Sequence, residues 1–107
     1  MSKVNRLLRD VLPEFTNELR ELLASEPDIL ATVNSLELVD RCRCGDGFCA
    51  SFYTLPAPRG AWGEGHENVV LEPEVGMVIL DVIDRRIGMV EVIDRPDVKE
   101  VIDRLDL

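Results

Sequence analysis

The stretch that most constrains this chain is Met77-Val78-Ile79-Leu80-Asp81-Val82-Ile83, which is followed by Asp84-Arg85-Arg86 and a second apolar run from Ile87 to Ile93. A nearly continuous apolar run of strand length reads as a central strand covered on both faces. The charged triplet is short enough only for a hairpin connection, so the two runs pair antiparallel. Val78, Leu80, Val90 and Val92 then lie on adjacent strands and form the expected centre of the core.

The other elements are arranged around that hairpin. Val4, Leu7/Leu8, Val11, Phe15, Leu19 and Leu22/Leu23 recur at steps of three and four, the stripe of an amphipathic helix over residues 3–25. Pro13 interrupts it, so the helix is kinked there or split, with Pro13 opening the second part. The stripe keeps its phase across Pro13, which favours a kink. Ser25-Glu26-Pro27-Asp28 stops it, and residues 28–33 suit one short helical turn. Leu36 to Cys42 and Phe48 to Leu55 read as two strands around a Gly45-Asp46-Gly47 turn. Residues 56–66 hold two prolines and three glycines and read as a long irregular loop. Asn68 to Leu71 is a further strand. Asp94 is the expected cap of a last helix, with Pro96 in its first turn and Val98, Val101, Ile102 and Leu105 on its apolar face. The tetrad Val-Ile-Asp-Arg recurs at 82–85, 92–95 and 101–104, but in different elements, so it marks no structural repeat. The expected fold is α+β: one domain over residues 1–107, with a mostly antiparallel sheet of about five strands, an N-terminal helix kinked or split near Pro13, and a C-terminal helix.

Charge narrows the function. The net charge is −9. Phosphate and anionic lipid repel such a chain, which argues against nucleic acid and membranes as partners. The surplus is uneven: residues 26–80 hold nine acidic and three basic side chains, whereas residues 1–25 balance four against four. Such a surplus first of all serves solubility; where it serves a partner, a basic protein is the one that it suits. The charged, amphipathic N-terminus is unlike a signal peptide, and three cysteines are an odd number for a disulfide framework, so a cytoplasmic protein is expected.

Chemistry is concentrated in Arg41-Cys42-Arg43-Cys44-Gly45-Asp46-Gly47-Phe48-Cys49. Cys42 and Cys44 share one face of a strand. A two-residue turn brings Cys49 back opposite Cys42 (turn Gly45-Asp46) or Cys44 (turn Asp46-Gly47). Zinc accepts three cysteines and one histidine, and the glycine-rich loop is able to bring over His66, the only histidine. The competing reading is that the thiols are small, partly buried residues of a hairpin. A thiol redox role draws on Arg41 and Arg43 as neighbouring cations, although alternation points them away from the cysteines. Trp62, the only tryptophan, is either a partner-binding anchor, with Arg59 and Glu64 of the same loop, or a cover folded onto the sheet. No serine, histidine and aspartate set, P-loop or dinucleotide fingerprint is present, and carboxylates are too abundant to single out a pair.

The residues from Gly76 through Val78-Ile79-Leu80-Asp81 and Asp84-Arg85-Arg86 to Ile87-Gly88-Met89-Val90-Glu91-Val92-Ile93-Asp94 resemble the hairpin of a small uncharacterised bacterial domain family. Its members carry a glycine, a Val-Ile-Leu-Asp-like strand, a charged turn and Val-Gly-Ile-Glu-Ile-Leu. Upstream they carry a Leu-Tyr strand, to which Ser51-Phe52-Tyr53-Thr54 is similar. The likeness covers residues 50–95. It implies a small β-rich fold, no established activity and no catalytic residues to transfer.

The expected function is a non-catalytic protein-binding module, antitoxin-like or immunity-like in size and charge. No cofactor is expected of such a module. The alternative is a zinc-binding or thiol module built on Cys42, Cys44 and Cys49 with His66.

Overall fold

The structure, a computed structural model, describes residues 6–105. The part of the expected first helix before Arg6 lies outside the described residues. Helices α1 (Leu8–Val11), α2 (Pro13–Leu22) and α3 (Pro27–Leu30) are followed by a 3-10 turn at Val33–Ser35. Then come β1 (Asp40–Arg41), β2 (Phe52–Tyr53), β3 (His66–Leu71), β4 (Met77–Ile83), β5 (Arg86–Ile93) and α4 (Pro96–Arg104). The strands form one antiparallel sheet in the order β1-β2-β5-β4-β3. The α+β expectation holds. No helix among the described residues is long and apolar enough to cross a membrane.

Proline sets three of the four helix starts. Pro13, Pro27 and Pro96 each open a helix, where a missing N–H costs nothing. The residue before a proline is pushed out of the helical region, and Leu12, Glu26 and Arg95 take φ of −131°, −124° and −125°. The first helix is therefore split at Leu12 rather than kinked. The apolar stripe keeps its phase because both pieces bury side chains, Leu8 from α1 and Phe15 and Leu19 from α2, in one core. Asp94 is not the cap of α4: it takes φ 57°, and Arg95 occupies the N-cap position without a side-chain cap.

Leu36 to Cys42 is extended, but its first part, Leu36 to Leu38, does not pair with the second strand. Leu8 N donates to Leu36 O (2.9 Å) and Leu38 N to Arg6 O (2.8 Å), so this segment pairs with the N-terminus. Asp40 and Arg41 join the sheet opposite Tyr53 and Phe52, and backbone bonds from Val39 N to Tyr53 O and from Cys42 N to Ser51 O extend that pairing by a residue at each end.

The core lies between one sheet face and the helices. Val78, Leu80, Val90 and Val92 are fully buried, as expected, with Phe52 and Val82 beside them and Leu8, Leu19, Val98 and Ile102 from the helices. Phe15 meets Phe52 edge-on at 6.3 Å. The expectation that β4 is covered on both faces fails. Met77 is 51% exposed, Ile79 and Ile83 are half-buried, and Val70 beside Ile79 is 66% exposed. Among the described residues the helices cover one face, and the other carries part of the loop before β3.

Candidate functional site

The open face is built from the alternate residues of the strands: Tyr53 on β2, Met89 and Glu91 on β5, Ile79 and Asp81 on β4, and His66 and Asn68 on β3. Cys49 stands opposite Ile93 in the register that pairs β2 with β5, so the cysteine tip continues this face at one corner.

Two anchors fix the tip. Cys42 N donates to Ser51 O at 2.9 Å, which prolongs the β1–β2 ladder, and Ala50 N donates to Val92 O at 2.8 Å, which ties the return to β5. Cys49 N closes a turn on Asp46 O at 3.2 Å, with Gly47 and Phe48 in its middle. The reversal thus lies one or two residues later than the Gly-Asp-Gly sequence suggests. The Sγ atoms of Cys42, Cys44 and Cys49 all lie within 4.8 Å of one another, close enough to share a metal ion. Cys44 is exposed and the other two are half-buried.

The three thiols differ electrostatically. Burial pushes the Cys42 thiol up, and its neighbours Cys44 and Cys49 add to this despite a hydrogen bond from the Cys44 backbone, to about 11. Burial also pushes Cys49 up. Hydrogen bonds to its thiolate from the Ser51 hydroxyl, the Ser51 backbone and the other two thiols outweigh this, leaving it below its ordinary value. Its Sγ lies 3.4 Å from Ser51 Oγ. Arg41 reaches Asp103 (2.6 Å) and Arg43 reaches Asp40 (2.8 Å).

His66 does not come to the thiols. It stands on the edge strand β3 opposite Ile83, whereas Cys49 stands opposite Ile93, which pairs with Met77 at the other end of β4. Three strand spacings and six residues of strand separate them, about 14 Å across and about 20 Å along. The loop before β3 is long enough to move His66, but pairing with β4 fixes it at the far corner.

There His66 joins a cluster that sequence reasoning missed. Its Nε2 lies 2.8 Å from Asp81 Oδ1, which also accepts from Asn68 Nδ2 at 2.9 Å. Asp81 is 5% exposed, and its Oδ2 is buried without a hydrogen-bond partner. Glu91 is its diagonal neighbour, since Asp81 pairs with Met89 and Glu91 with Ile79. A hydrogen bond to Asp81 pushes the Glu91 carboxyl up to about 7, helped by burial and the Asp81 charge and opposed by His66. The available signal was that each of the two most apolar strands carries one carboxylate on the same face.

Trp62 folds onto this end of the sheet, as the covering alternative has it. Its ring lies 6.3 Å from Tyr53 and 6.4 Å from His66. It also sits so close over Gly88 that a Cβ there would meet it at 3.0 Å. Arg59 and Glu64 are exposed on the same loop. A separate acidic cleft of about 530 Å³ lies between α2 and the β3–β4 turn, where Glu18, Glu21, Glu72 and Glu74 surround Arg95.

No protein-family model, curated protein or solved structure matches this chain.

Proposed function

We propose that this protein binds a soft metal ion, zinc in the first instance, through the thiolates of Cys42, Cys44 and Cys49. The observation that carries the reading is the mutual approach of the three Sγ atoms to within 4.8 Å. A zinc–sulfur bond of about 2.3 Å places the sulfurs of a tetrahedral site about 3.8 Å apart, so the tip needs to contract by about 1 Å at most. Thiolates favour zinc or copper(I) over hard cations. Among the described residues only these three cysteines form such a group, so the fourth position belongs to water or an incoming ligand. Such a site is open to exchange, unlike a closed structural one. Metal content is measured on protein purified without added metal, then on protein loaded with cobalt, whose sulfur charge-transfer absorption reports thiolate ligation. Stoichiometric metal that Cys44→Ser removes is the expected result. Three freely titrating thiols with no affinity for zinc or cobalt would refute it, and a disulfide between two of them would move the tip to thiol redox chemistry.

A second reading, a non-catalytic module that binds a basic protein, is favoured by the acidic surplus and by the uncovered sheet face.

A further inference from the structure

We propose that the open face around Asp81, Glu91, Tyr53 and Trp62 is a docking site for an arginine side chain presented by a basic partner protein. The inference rests on the second reading above and gives it a place. Asp81 and Glu91 are the only carboxylates that β4 and β5 carry between their ends. Neither is paired with a lysine or arginine among the described residues; the one ionic partner of Asp81 is His66. Asp81 is more than nine-tenths buried, and one of its oxygens has no hydrogen-bond donor other than the Glu91 carboxyl when that is protonated. A buried acceptor left unsatisfied is costly, and an approaching donor relieves that cost.

The surroundings favour arginine. A guanidinium presents several N–H donors in one plane, suited to two neighbouring carboxylates, and stacks on aromatic faces. Tyr53 and Trp62 supply those faces beside the carboxylates. The apolar side chains Val70, Ile79 and Met77 continue the same surface beyond Glu91, with Val70 66% and Met77 51% exposed. A sheet face with a charged centre and an apolar flank suits the side chains of a protein segment. Glu91 is held close to neutrality in pKa by the hydrogen bond to Asp81 and by burial. A bound cation would expel its proton.

Trp62 is the chain's only tryptophan and sits at the site, so its fluorescence reads binding directly. Tetra-arginine amide is titrated into the full chain, with tetra-citrulline, tetra-lysine and spermine in parallel. The expected result is a saturable change with tetra-arginine and none with tetra-citrulline. Tetra-lysine should bind about three- to tenfold more weakly, for want of the planar donor fork. Binding should weaken as salt rises, and calorimetry at pH 7 in two buffers should show proton release. Glu91→Gln should weaken binding about tenfold. It replaces a half-buried side chain with one of the same shape, so the fold is kept even if Asp81→Asn loses it; far-ultraviolet circular dichroism checks this. Unchanged binding by Glu91→Gln, with loss on neutralising Glu72 and Glu74, would overturn this site but leave the basic-partner reading standing. Spermine binding as tightly as tetra-arginine would overturn the protein partner. No binding of any cationic peptide would sink both.

Discussion

Glu91→Gln also tests the carboxyl pair through stability. Glu91 titrates at about 7 in the folded chain against an ordinary 4.5, so the folded state holds this proton more tightly than the unfolded state does. The stabilising contribution is fully present below pH 4.5 and is lost as pH rises through about 7. Full linkage would make this about 3 kcal/mol, but Glu91 is only half-buried, and solvent screening reduces the expected contribution to about 1–2 kcal/mol. Urea denaturation of parent and variant at pH 5, 6, 7 and 8 measures it. The parent should lose that stability across the range, while Gln, which cannot ionise, should not. Every other titratable group is common to the two proteins, so the difference between the two curves isolates Glu91. At pH 8 the variant should be the more stable protein, which in thermal melts corresponds to about 4–12 °C. Parallel curves for parent and variant would refute the argument, because they would mean that Glu91 and Asp81 do not share a proton in the folded chain.

Leu80→Ala should destabilise the fold by about 3–5 kcal/mol in urea, because Leu80 is fully enclosed between β3 and β5; a loss below about 0.5 kcal/mol would remove β4 from the core. In metal-free protein Cys49 should be alkylated by iodoacetamide at lower pH than Cys42, whose thiol is pushed up to about 11; peptide mapping after partial alkylation gives the order. Arg95→Met should cost about 2–4 kcal/mol in urea, because Arg95 is 8% exposed, lies over the Phe15 ring and holds Glu18 (2.7 Å) and Asp97 (3.0 Å). A neutral result would mean that its ion pairs contribute no more than exposed ones do.

Periodicity made the β4–β5 hairpin and α4 legible, because local order in the sequence sets both. Pro96 in the first turn of α4 was equally legible, whereas Pro27 reads as a stop and turns out to open α3, and the persistence of the stripe across Pro13 disguised the break at Leu12. The order of strands was not legible. β5 lies between β4, its neighbour in sequence, and β2, more than thirty residues away, and nothing in either pattern names that partner. His66 was misplaced for this reason: a loop's length says how far a residue can travel, and only the sheet says to which edge. The Asp81–Glu91 pair was hidden by register. An irregularity between Asp81 and Val82 and a two-residue Asp84-Arg85 turn, both residues at positive φ, decide which carboxylates become diagonal neighbours. The closeness of the thiols was legible because a short reversal leaves them little freedom.

The strand order also implies an order of assembly. β3, β4 and β5 form a meander closed by short turns, which local contacts can build early. Docking of the β1–β2 hairpin on β5 closes a much longer stretch of chain, so it should come late and the amides of this hairpin should exchange first. The thiols ride on that late seam. An ion held there would leave the rate of folding nearly untouched and slow the opening, so a metal on this tip would act as a latch on the lifetime of the folded state.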